Sequence, residues 1–97
     1  MFLLACCVLG CGQSRDDYMA AFASRLPSGC RTPTPDGLDR EFVMITCATN
    51  AQAAAAVPVL TSACSELQEV GFAQITIASF EGPHQVMSVS GGCTLEQ

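Results

Sequence analysis

Four of the seven cysteines, Cys30, Cys47, Cys64 and Cys93, lie beyond the first dozen residues of this 97-residue chain, separated by 17, 17 and 29 positions. Cysteine sulfur ligates metals, exchanges with other thiols, or closes structural disulfides. Zinc sites bring ligands in close pairs such as C-x2-C, and thiol-redox sites use C-x-x-C at a strand–helix junction. Neither spacing occurs among the four. Structural disulfides are therefore expected, with free buried thiols, or a small periplasmic enzyme or thiol-redox protein using Cys47 or Cys64, as alternatives. Four cysteines allow three connectivities. Cys47 and Cys64 are both expected to point into the space between a sheet and a helix, which favours Cys47–Cys64 and leaves Cys30–Cys93.

Two other groups could carry chemistry. His84 is the single histidine. As a general base it would need Ser79 or Ser88 within hydrogen-bond reach and an orienting carboxylate such as Glu81. No serine sits in an elbow motif, so His84 reads as an exposed turn residue. Asp36, Asp39 and Glu41 cluster around a turn and could meet a calcium ion, but they lack the ligand periodicity of a calcium loop and read as solvated acids. The sequence carries no cofactor motif, no catalytic residue is singled out, and the chain reads as non-catalytic.

The chain opens with an uncharged apolar run over residues 2–10. A membrane-spanning helix needs about 20 apolar residues, whereas a secretory h-region needs about 7–15. Val8-Leu9-Gly10-Cys11 resembles the lipobox of bacterial lipoproteins, in which a small residue precedes the cysteine that is lipidated and becomes the mature N-terminus. That resemblance covers the first dozen residues. It implies a signal peptide over residues 1–10, a short tether over 11–13, a lipid anchor on Cys11, and a place in the bacterial cell envelope on the periplasmic or outer-membrane side. A cleaved signal without lipid and a buried core segment are the alternatives for the same run. If Cys6 and Cys7 leave with the signal and Cys11 carries lipid, the remaining cysteines form an even set.

Arg15, Arg25, Arg31 and Arg40 face nine acids, lysine is missing, and the net charge is −5. Such a chain offers no basic face to a phosphate backbone, which argues against nucleic-acid binding, and no polybasic attachment to anionic lipid. Membrane contact would come through the Cys11 lipid, and another envelope protein is the candidate partner.

Residues 14–97 must then form the single domain that positions these groups. Ser14 begins a helix expected over residues 15–25, stopped by Pro27. A weak strand over 29–32 precedes turn material rich in proline. Residues 41–47 read as a central strand, apolar on both faces, with Val43, Ile45 and Cys47 on one side and Phe42 and Met44 on the other. Thr49-Asn50-Ala51-Gln52 has capping-box spacing ahead of a main helix over 51–70, which Pro58 should kink near Ala54 or make begin late, and which Gly71 closes. Residues 72–80 alternate as a strand, Glu81-Gly82-Pro83 turns, residues 85–90 return as its hairpin partner, and 94–97 fray. The order predicts an α+β two-layer sandwich, two helices on one face of a three- or four-stranded, mainly antiparallel sheet. That order is similar to the small envelope domains of the BON type, which bind lipid surfaces or partner proteins. The resemblance is one of architecture and carries over no residue.

Overall fold

The computed structural model describes residues 14–34 and 37–96. Residues 1–10 read as a signal, the 11–13 tether with Cys11, and Asp36 of the acidic cluster lie outside the described residues.

The chain runs α1 (Arg15–Phe22), a 3-10 turn (Ala23–Arg25), β1 (Cys30–Arg31), β2 (Phe42–Cys47), α2 (Asn50–Ser62), α3 (Cys64–Val70), β3 (Gln74–Ser79), β4 (Gly82–Ser88) and β5 (Thr94–Glu96). The five strands lie in the order β1-β2-β3-β4-β5. β2 and β3 are parallel, from Phe42 opposite Gln74 to Cys47 opposite Ser79, and the other neighbours are antiparallel. The described residues form an α+β fold with a mixed five-stranded sheet and three helices, broader than the three or four strands and two helices expected. The weak strand expected over 29–32 is present as β1, and one added strand, β5, accounts for the count. β1 has only two residues, and the tail expected to fray is β5, where Leu95 pairs with Met87.

Helix starts follow local chemistry. Ser14 Oγ accepts from the Asp17 N–H, so α1 begins where a side-chain oxygen can satisfy an orphan donor. The Thr49–Gln52 capping box forms as the spacing requires, and Gln52 Oε1 also accepts from the Ala48 N–H at 3.0 Å. Gly29 passes over the Gln52 side chain at φ +92°. That left-handed φ favours glycine, and a Cβ there would come within 2.5 Å of the Gln52 amide and push it off the Ala48 and Thr49 N–H groups.

The long helix starts at Asn50, without a late beginning. It runs through Pro58 and breaks at Ala63, whose N–H turns back to the Leu60 carbonyl. Thr61 and Ser62 hydroxyls donate to the Val57 and Pro58 carbonyls one turn back, a competition with the backbone ladder that bends helices. Gly71 then caps α3 at φ 109°, with Phe72 buried behind it.

All three helices cover one face of the sheet. Met19 and Phe22 from α1, Ala56 and Leu60 from α2, and Leu67 from α3 meet Ile45, Cys47, Ile75, Ile77 and Met87 in one core. The turn between β3 and β4 is also shifted. Ser79 pairs with Gly82, so Phe80 and Glu81 make the turn, and Gly82 and Pro83 already belong to β4. Proline fits there because β5 reaches only Val86, Met87 and Ser88 of β4.

Candidate functional site

The four expected cysteines form two disulfides, but not in the expected pairs. Cys30 bonds Cys47 and Cys64 bonds Cys93, in place of Cys47–Cys64 and Cys30–Cys93. The expectation placed Cys47 and Cys64 by which way they face and ignored where they lie along the layers. Cys47 ends β2 beside the start of α2, whereas Cys64 follows the end of α2. Thirteen helical residues at about 1.5 Å each carry the chain about 20 Å away. At Cys47, the partner within reach is Cys30, directly opposite on β1. At the far end, Cys64 opens α3 and reaches Cys93 just before β5. Disulfides persist in oxidising compartments, so the pair indicates an extracytoplasmic setting. Among the described residues, no helix is long and apolar enough to cross a membrane.

Most of the residues considered for catalysis or metal binding serve as caps and ties. Ser79 donates its hydroxyl to Asn50 Oδ1, and Glu81 accepts the Asn50 N–H at 2.8 Å. Both therefore hold the start of α2 rather than face His84, which is exposed on β4. Ser88 accepts from the Gly91 N–H at the next turn. Asp39 accepts the Arg15 N–H at 2.6 Å and pairs with its guanidinium at 2.9 Å. Among the described residues, no three His, Cys, Asp or Glu side chains gather as metal ligands.

A second polar cluster joins α1 to α3. Glu66 Oε1 accepts from the Tyr18 hydroxyl at 2.6 Å and from Arg25 at 2.9 Å. Burial, followed by the hydrogen bond to Glu66, pushes the Tyr18 phenol up to about 12. The bonds from Arg25 and then Tyr18 hold the Glu66 carboxyl below its ordinary value. Arg25 also lies 4.6 Å over the Phe22 ring. This network carries no open acid or base; it closes a helix–helix contact.

The surface not so used is the beginning of β2. Phe42 and Met44, expected on the second apolar face of a central strand, are 60% and 50% exposed, because the described helices pack on the other face. Beside them lies a groove of about 380 Å³, lined among others by Pro33, Thr34, Leu38, Arg40, Phe42 and Met44. Leu38 is itself 54% exposed. One signal in the sequence pointed here. A strand apolar on both faces, preceded by Pro33 and Pro35, requires a cover on each face or leaves one open.

Set against protein-family models, curated proteins and solved structures, the chain matches none of them.

Proposed function

We propose that the chain is a non-catalytic binding module of the bacterial cell envelope, stapled by two disulfides and anchored through lipid on Cys11. The observation that carries this reading is the pair Cys30–Cys47 and Cys64–Cys93, which uses every cysteine after Cys11 and belongs to an oxidising compartment. The lipobox-like Val8-Leu9-Gly10-Cys11 supports the anchor, and the exposed Phe42, Met44 and Leu38 support a partner surface.

Metabolic labelling with a clickable fatty acid in a bacterial host tests the anchor. Label is expected on the wild-type chain and lost in Cys11→Ala; label that persists in the variant, or none on either, rejects it. Alkylation without reductant tests the module. No adduct at Cys30, Cys47, Cys64 or Cys93 is expected, and prompt alkylation of Cys47 or Cys64 would instead favour a thiol-exchanging enzyme.

A further inference from the structure

β1 covers little of β2. Its two residues stand opposite Thr46 and Cys47, and among the described residues no strand pairs with Phe42, Val43, Met44 or Ile45 on that side. The ladder fixes which backbone groups are left open. The Ala48 N–H bonds Gly29 O across this edge, while Glu41 O accepts from Ala73 and Gln74 on the β3 side. Backbone groups alternate along a strand, so Ala48, Thr46, Met44 and Phe42 direct their N–H and C=O outward, and Glu41, Val43, Ile45 and Cys47 turn toward β3. Phe42 and Met44 thus hold out two N–H and two C=O groups beside a groove lined by their own side chains.

An open edge is a template for one kind of partner, an extended chain that continues the ladder. We infer that the Phe42–Met44 edge binds an extended peptide of a partner protein, with apolar side chains at alternate positions and a carboxylate at the end that meets Arg31. The ladder calls for the strand, and the exposed Phe42, Met44 and Leu38 call for the apolar residues. Charge complementarity calls for the acid. Arg31 is exposed opposite Thr46, one residue beyond the open stretch, in a hollow whose other described lining residues, Gly29, Thr46, Ala48 and Phe80, include no acid. The other end is mixed in sign, with Arg40 set against Asp16 and Glu41, so it selects no charge. This inference rests on the binding-module reading and is independent of the anchor.

The test uses the full chain, purified oxidised and isotope-labelled. The probe is a capped peptide of alternating valine and threonine with aspartate at one end. Binding is expected to shift the Phe42 and Met44 amides and protect them from exchange. Methylating the probe's amide nitrogens on its pairing edge removes ladder donors and should weaken binding about tenfold, with the protein unchanged. Met44→Pro removes the outward N–H at an edge position where proline is tolerated, and should cost about the same while keeping the β3 and β4 shifts. Arg31→Glu should weaken the aspartate probe several-fold and leave a probe ending in asparagine unchanged.

Equal binding of the methylated probe, or shifts centred on Phe80, would overturn the proposal. A concentration-dependent dimer that protects the same amides without peptide would also overturn it, in favour of a second copy. Disulfides that exchange with thiols sink the module reading itself, whereas inert disulfides with no peptide-induced shifts sink only this inference.

Discussion

Cys30 and Cys47 stand directly opposite each other on antiparallel β1 and β2, their Cα atoms 3.9 Å apart, so one disulfide fastens a two-residue strand to the sheet. Cys64–Cys93 fastens the opposite end, closing 29 residues of sequence against 17. By loop entropy each contributes ~3–4 kcal/mol, with the longer loop ahead by about 0.5 kcal/mol. Removing Cys30–Cys47 as a paired alanine variant is expected to lower the denaturant midpoint and free the β1 amides to exchange, while β3 and β4 stay protected. Loss of protection across the whole sheet would contradict this.

The connectivity can be read directly, with the right protease. No charged residue lies between Cys47 and Cys64, so cleavage at arginine or glutamate leaves them on one peptide under any pairing. Elastase cuts within the alanine run at residues 53–56. Without reductant it should yield a 47-containing fragment joined to Cys30 and a 64-containing fragment joined to Cys93. A fragment joining Cys47 to Cys64 would reject the pairing.

Asp39 works as a remote cap. Its carboxylate accepts the Arg15 N–H, a first-turn donor that Ser14 Oγ does not reach, since that oxygen accepts from Asp17. Asp39→Ala should cost about 1 kcal/mol in urea unfolding, and Asp39→Asn, which keeps an acceptor, should cost less. Equal losses for both would assign the effect to the ion pair with the Arg15 guanidinium instead.

The Tyr18 phenol gives a pH signature. Its folded value is raised from 10.0 to about 12, so the folded state holds the proton more tightly than the unfolded chain. The stabilisation is complete below pH 10 and disappears as pH rises toward 12. Glu66 has the opposite sign: its contribution is present above the ordinary carboxylate value and is lost as pH falls through its lowered folded value. Phenolate absorbance should titrate near 12, and Glu66→Gln should move the midpoint down. A wild-type midpoint at 10.0 would break the link.

Neighbouring alanines on α2 should respond very differently. Ala56 is fully buried against the sheet, whereas Ala55 is exposed. Ala56→Leu should overpack the layer and cost about 1–3 kcal/mol, while Ala55→Leu should fall within about 0.5 kcal/mol of wild type. Thermal melts of the two variants make the comparison.

What could be read from the residues was what short-range physics controls. The Thr49–Gln52 box, the Gly71 cap and the inward set Val43, Ile45 and Cys47 depend on neighbours within a turn or on strand alternation. What escaped depended on position along the layers. The disulfide partners required knowing that α2 carries Cys64 away from Cys47. Nor does any periodicity announce that Arg15 meets Asp39, 24 residues on. The exposed start of β2 was missed for a related reason. Apolar residues on both sides of a strand fit a covered one, and nothing local says that β1 ends after two residues.

The parallel pairing of β2 with β3 also dictates the order of events as the chain is made. Until Gln74–Ser79 has been synthesised, β2 has no partner except the two residues of β1, because the intervening chain from 48 to 73 contributes only helices. Loop-closure cost delays such a non-local pairing, and the β3–β4–β5 meander forms from adjacent residues. The N-terminal half therefore waits unfolded for the C-terminal half. Once the chain is in the oxidising compartment, Cys30 and Cys47 can pair before β2 has docked on β3, while Cys64–Cys93 closes the longer loop around the meander.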